Sequence, residues 1–276
     1  MGKLALHQSN EFTKMLIIGD SKAGKTGLLA SLVAEGYKLR ILDYDNGLDV
    51  LKNYVLKQCP DKIDNVDFRT VRDKIKMGST GPCVDGQAKA YSDGLKMMGH
   101  WKYKDGADEI DLGIPANWGS DTIFVLDSLS RFSDAAYDWY DGINNNPDKR
   151  STFFGAQEAV IAALDLLTSD NFKANVIVIA HIRYIDLPDG GKKGFPQAIG
   201  TAVCTEIPQF FNTFVMVTNK GGKRTLQTTS TPLIDLANPK PFEMKESYPI
   251  ETGLADCFKV LRAAPKSSPV IPMRKA

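Results

Sequence analysis

The apolar run Met15-Leu16-Ile17-Ile18 leads directly into Gly19-Asp20-Ser21-Lys22-Ala23-Gly24-Lys25-Thr26, which matches G-x-x-x-x-G-K-[ST]. Such a segment has few ways to fold. The apolar run predicts a strand over Met15–Gly19, and Gly27–Glu35 reads as a helix. The glycines between them let the backbone bend until successive N–H groups point inward. The helix N-terminus adds its positive end to the same hollow. An arrangement like this suits the phosphates of a nucleotide. Gly19, Asp20, Ser21, Lys22, Ala23, Gly24, Lys25, Thr26 and Gly27 are therefore the candidate binding residues. Lys25 is expected to reach the β- and γ-phosphates, and Thr26 to hold Mg²⁺.

Three further segments read as core strands: Lys38–Asp43, Thr122–Asp127 and Asn175–Ala180. The last two are nearly unbroken apolar runs, as expected of parallel strands covered on both faces. Helical patterns over Leu48–Lys57 and Gln157–Thr168 alternate with them. The expectation is an α/β fold with a mostly parallel central sheet flanked by helices. Thr213–Thr218 and Arg224–Thr229 flank Asn219-Lys220-Gly221-Gly222-Lys223 and predict an antiparallel hairpin at one sheet edge. Gly78–Ser120 has weak periodicity and reads as an insertion or a small helical excursion, and Leu187–Gln197 as a polar, Gly-rich loop. The chain is expected to form one core over residues 1–258. Residues 259–276 read as a basic, flexible tail carrying Lys259, Arg262, Lys266, Arg274 and Lys275 with no acid. Asp127, a carboxylate closing an apolar strand, suits a place beside the metal.

These residues together resemble the RecA-type ATPases. Besides the phosphate loop, the likeness rests on Ile41-Leu42-Asp43-Tyr44-Asp45-Asn46-Gly47-Leu48-Asp49, on the strand ending Asp127-Ser128, and on Ile179-Ala180-His181-Ile182-Arg183. It spans roughly Met15 to Thr229, with 78–120 unmatched, and is nearest to the core-only RecA-like ATPases of bacteriophages, the Sak-type annealing group. The resemblance implies ATP and Mg²⁺ as cofactors, and DNA-stimulated hydrolysis in recombination or strand annealing. Asp45 falls where that family has an acid that polarises the attacking water, usually Glu. His181 falls on its γ-phosphate sensor, often Gln. Lys25, Asp45, Asp127 and His181 are thus the implied catalytic residues. Asp49 falls on the adenine contact, although the aromatic expected three residues later is Lys52. Such sites usually lie between subunits of a ring or filament, and Lys220, Lys223 and Arg224 are the candidates to act in a neighbour's site.

The implied polymer partner is single-stranded DNA. Arg183, Lys192, Lys193 and Phe195 are its candidate contacts, the cations for phosphates and the ring for a base. A second candidate loop, Ser133–Ser151, holds Tyr137, Trp139, Tyr140, Lys149 and Arg150. A single-strand binding protein is a further candidate partner, through the basic tail. The balance of 34 Lys and Arg against 33 Asp and Glu gives a net charge of +1, which excludes a general polyanion-coating protein. Cys59, Cys83, Cys204 and Cys257 are scattered, as are His7, His100 and His181, which argues against a disulfide framework or zinc site. No apolar run reaches bilayer length and no secretory signal opens the chain, so a cytoplasmic protein is expected, in the host cytoplasm if phage-encoded. Two rival readings use the same phosphate loop: a nucleotide or small-molecule kinase, and an oligomeric module that binds ATP without hydrolysing it.

Overall fold

A computed structural model describes residues 11–143, 149–188 and 190–263. The strands are β1 (Lys14–Gly19), β2 (Lys38–Asp43), β3 (Val66–Thr70), β4 (Ile75–Gly78), β5 (Gly81–Val84), β6 (Lys102–Asp105), β7 (Asp108–Asp111), β8 (Gly119–Asp127), β9 (Ala174–Ala180), β10 (Ile182–Asp186), β11 (Lys192–Pro196), β12 (Thr213–Lys220), β13 (Lys223–Gln227) and β14 (Ser247–Pro249). The helices are α1 (Ala30–Ala34), α2 (Asp49–Gln58), α3 (Ala90–Gly99), α4 (Leu129–Ile143), α5 (Lys149–Thr168), α6 (Thr201–Glu206) and α7 (Gly253–Arg262).

Eight strands form one sheet in the order β14-β13-β12-β1-β9-β8-β2-β3. From β12 to β3 the neighbours run parallel, and β13 and β14 add antiparallel at the edge. The α/β architecture and the edge hairpin are as expected. Its cause is visible in the alternation along each strand. Leu16, Ile18, Phe124, Leu126, Val176 and Val178 enter one core, beneath α3, α4, α5 and α6. Met15, Ile17, Ile123, Val125, Ile177 and Ile179 enter the other, beneath α1, α2 and α7. A strand apolar on both sides must be covered on both sides. Because β9 separates β1 from β8, a crevice opens at the carboxyl ends of these strands, the usual place for ligands in open α/β sheets.

Three expectations are refined or changed. Of the two readings of 78–120, the helical excursion is present as α3; the stretch also holds the hairpin β6–β7 and joins the first core through Tyr91, Met97, Met98 and Trp101. It is fastened to β3 by Asp67, which accepts hydrogen bonds from Trp101 Nε1 at 2.8 Å and the Tyr103 hydroxyl at 2.7 Å. Tyr44 seats α3 closely, since a Cβ at Gly94 would lie 1.9 Å from its hydroxyl. Within Leu187–Gln197, residues Lys192–Pro196 form the strand β11, which pairs with β10. The expected tail begins inside α7, where Lys259 pairs with Glu35 and Arg262 donates to the Tyr37 hydroxyl and the Ser120 carbonyl. Lys266, Arg274 and Lys275 lie outside the described residues, as does His7. Among the described residues no helix is long and apolar enough to cross a membrane.

Candidate active site

The phosphate loop leaves β1 at Gly19, where a Cβ would sit 2.7 Å from the Val217 carbonyl oxygen on β12, so only glycine lets the two strands close. Lys22 (φ 64°) and Gly24 (φ 105°) then turn the chain through left-handed conformations. Lys25 is buried. Its Nζ donates to the carbonyls of Gly19 at 2.8 Å and Asp20 at 2.9 Å and lies 3.2 Å from His181 Nδ1. Burial holds its pKa below the ordinary lysine value, against the pull of Asp127, Asp45 and Asp20.

Thr26 and Asp127 are 101 positions apart in sequence, yet the Thr26 hydroxyl donates to Asp127 Oδ2 at 2.7 Å. Asp127 is buried, and burial pushes its carboxyl up to about 6. The nearby Asp45 and Asp43 add to this rise, while the Thr26 hydrogen bond and Lys25 oppose it. A hydroxyl and a carboxylate side by side form a hard-oxygen pair of the kind that suits Mg²⁺.

Two acids close the strand β2 region, and the structure divides their tasks. Asp43 is buried and committed to the fold: it accepts from the N–H groups of Asp45 at 3.1 Å and Asn46 at 2.8 Å, and from the Thr70 hydroxyl at 2.8 Å. Asp45, half-buried, faces the crevice. Its Oδ1 accepts from the Ser128 hydroxyl at 3.0 Å, and its Oδ2 lies 3.5 Å from His181 Nε2. Burial raises the Asp45 pKa, but hydrogen bonds from His181 and Ser128 outweigh it and hold the carboxyl below the usual range. An ammonium can only donate, so His181 Nδ1 accepts from Lys25 and its Nε2–H is directed at Asp45. His181 also ties the crevice to neighbouring elements. Its N–H donates to Ser130 Oγ at 3.1 Å, that hydroxyl donates to the Gln197 carbonyl at 2.9 Å, and the Gln197 N–H returns to the His181 carbonyl at 2.8 Å.

Asp49, expected at the adenine, lines a groove with Lys52, Val66 and Phe68. The face of α2 that meets the loop carries Val50 and Tyr54. A Cβ at Gly27 would lie 2.8 Å from the Tyr54 ring and 3.1 Å from Val50 Cγ1. Tyr54 was missed in sequence; its signal is the four-residue step from Val50 along one helix face.

Lys220 and Lys223 face each other across Gly221-Gly222 at the exposed tip of the β12–β13 hairpin. Arg224, expected in a neighbour's site, lies on the phosphate loop of its own chain. Its Cδ is 3.2 Å and its Nε 3.7 Å from where a Cβ on Gly24 would be. That Nε is buried without a hydrogen-bond partner among the described residues. A desolvated lysine and an orphaned guanidinium nitrogen on one loop fit a polyanionic cofactor.

The predicted DNA contacts gather less positive charge than their sequence suggests. Lys192 pairs with Asp186 at 3.6 Å, and Lys193 pairs with Asp235. Phe195 packs against the first core. Arg183 is exposed. The second candidate loop is largely helix, α4 and the start of α5. On α4, the rings of Trp139 and Tyr140 pack on Tyr91 of α3, and Tyr137 also lies against the first core. Lys149 pairs with Asp141, and Arg150 belongs to α5. Asp134, Asp138 and Asp141 share one face of α4. Burial pushes Asp138 up, and Asp134, Asp73 and Asp141 push it further. Arg131 pairs with Asp134 and Lys149 with Asp141, so among the described residues this face presents no unpaired cation from α4.

Residues 11–236 match the family model described as AAA domain. No curated protein matches the chain. Among solved structures, the chain is similar to the RadB recombinase at 14% identity, over 87% of this chain and 89% of that one, with a TM-score of 0.45. It is also similar to the ATPase EscN of the enteropathogenic E. coli type III secretion system, in complex with its central stalk EscO. That match has 13% identity and a TM-score of 0.40, over 75% of this chain and 42% of that one. A prototypical ATPase from the type III secretion system of pathogenic bacteria matches at 12% identity, over 75% and 52%, with a TM-score of 0.38. At such scores these likenesses decide nothing about what this chain acts on.

Proposed function

The chain belongs to the AAA domain family, and from that premise we propose that it is a Mg²⁺-dependent ATPase acting on single-stranded DNA, in recombination or strand annealing of the phage type. The observation that carries the ATPase reading is the 2.7 Å contact between Thr26 and Asp127, with Lys25, His181 and Asp45 linked in the same crevice. The loop N–H groups and Lys25 would hold the phosphates of ATP, and Thr26 and Asp127 would hold Mg²⁺, which neutralises phosphate charge when bound. Asp45 is ionised at neutral pH and orients the attacking water, accepting its proton. Ser128 and His181 fix its two oxygens. His181 reports the state of the crevice to β10–β11 and the start of α4 through Ser130 and Gln197. This network couples the state of the crevice to elements beyond it.

The test is ATP turnover with and without a single-stranded oligonucleotide. Stimulation by the oligonucleotide is expected. Unchanged turnover together with phosphate on a small acceptor would identify a kinase instead. Turnover no faster than that of Lys25→Ala, with assembly still dependent on ATP, would identify a binding module.

Arg224 also bears on assembly. Its place on its own loop supports a role in the site of its own chain, with Lys220 and Lys223 as the candidates to reach a neighbour in a ring or filament. Mixing inactive Lys25→Ala with inactive Arg224→Ala protein separates the two arrangements. A cation acting across a head-to-tail interface would restore about a quarter of wild-type turnover in an equal mixture. The expected result is no recovery.

A further inference from the structure

The end of β3, the first two turns of α3 and the first two residues of β6 line a cavity of about 280 Å³. Arg69, Arg72, Lys89, Lys96 and Lys102 line it, against only Asp73 and Asp93. For a chain of net charge +1 this is a strong local concentration of positive charge. Both carboxylates are already engaged. Asp73 Oδ1 accepts from the N–H groups of Lys89 at 2.6 Å and Ala90 at 3.1 Å, and Asp93 pairs with Lys96 at 2.7 Å. Lys102 pairs outward, with Glu109 at 2.6 Å. Among the described residues, Arg69, Arg72 and Lys89 have no carboxylate within ion-pair distance.

We propose that this cavity and its rim bind the phosphate backbone of single-stranded nucleic acid. The inference rests on the reading of the chain as a DNA-acting ATPase and names where the strand is held. Arg69 is the fixed element. It is half-buried, with its guanidinium 4.5 Å from the centre of the Tyr103 ring, and the Tyr103 hydroxyl is anchored to Asp67. Such a stacked guanidinium keeps its in-plane donors free for phosphate. Arg72, Lys89, Lys96 and Lys102 are exposed around it. Cations spread along a rim match successive phosphates of a polymer better than one small buried anion, and releasing condensed counterions favours binding. Lys96 and Lys102 are carboxylate-paired like the lysines of β11, so what sets this surface apart is the trio Arg69, Arg72 and Lys89.

The cavity also adjoins the hydrolytic machinery. Next to Arg69 and Arg72, the Thr70 hydroxyl donates to Asp43 Oδ2 and the Val71 N–H to the Asp43 carbonyl, at 2.8 Å each. Asp43 in turn holds the turn that presents Asp45. A strand seated on Arg69 and Arg72 is thereby connected to the water-orienting carboxylate by one buried side chain.

The experiment uses the full chain carrying Arg72→Glu and Lys89→Glu, both exposed positions, and a fluorescein-labelled oligothymidylate read by anisotropy over a KCl series. We expect affinity at low salt to fall at least about tenfold. The slope of log K against log salt should lose about 1.4, the loss of two phosphate contacts on a single strand. Binding of a fluorescent ATP analogue and the melting temperature should stay at wild-type values. Variant protein that binds the oligonucleotide as tightly as wild type overturns the cavity while leaving the DNA reading standing. Wild-type protein that binds no oligonucleotide overturns both. Displacement of the oligonucleotide by equimolar inorganic phosphate would mark a small-anion site and overturn the polymer assignment.

Discussion

Replacing Lys25 by alanine is expected to lower ATP turnover by at least about a hundredfold and to weaken binding of a fluorescent ATP analogue, with the fold intact. The ammonium is buried among the carboxylates of Asp127, Asp45 and Asp20, on the loop where phosphate charge must be held. Without it the crevice carries uncompensated acids that repel a triphosphate. The fold should survive, because the core strands do not depend on Lys25 and the variant escapes the cost of desolvating a charge. Lys25→Arg should not rescue turnover. The present ammonium fits between two loop carbonyls and a ring nitrogen, and a planar guanidinium is too wide for that place. A coupled turnover assay and an analogue titration read both effects. Turnover of Lys25→Ala within about threefold of wild type would remove the basis of the ATPase reading.

Asp45→Asn should give the opposite split: analogue binding near wild type, and turnover lower by about a hundred- to ten-thousandfold. The amide keeps the size of the side chain and can still accept from Ser128, but it takes no proton from water. It also loses the charge that draws His181 Nε2–H. Asp43→Asn is the control for position. Asp43 is buried beneath the turn and bonded to backbone N–H groups and Thr70, so its loss should appear first as a lower melting temperature. Comparable turnover loss in both variants, with stability unchanged in both, would contradict the division of labour between the two acids.

The roles of neighbouring residues illustrate how far sequence carries. Asp43 and Asp45 are two residues apart at the end of one strand, and the likeness to RecA-type motifs was enough to favour Asp45. Asp49 and Tyr54 show the limit. Helix α2 was expected, but which of its faces meets the phosphate loop depends on how the helix rolls against β2 and β3, and that roll puts Tyr54 on Gly27. The DNA candidates show the same dependence on distant contacts. Lys192 and Lys193 are adjacent cations in sequence, yet Asp186 on the facing strand and Asp235 beyond the next elements take up their charge.

Beyond Asp45, which the resemblance to RecA-type ATPases implied, the sequence by itself determined the phosphate loop with Lys25 and Thr26 and the strands around it, including the one that ends at Asp127. These depend on consecutive residues, on the alternation of apolar side chains and on glycine at bends, all short-range properties of the chain. The tertiary structure decided which charges remain free. It laid Arg224 on its own loop, closed 78–120 onto β3 through Asp67, and gathered Arg69, Arg72 and Lys89 around one cavity. Those outcomes follow from strand order and from contacts between residues far apart in the chain, which local sequence pattern does not encode.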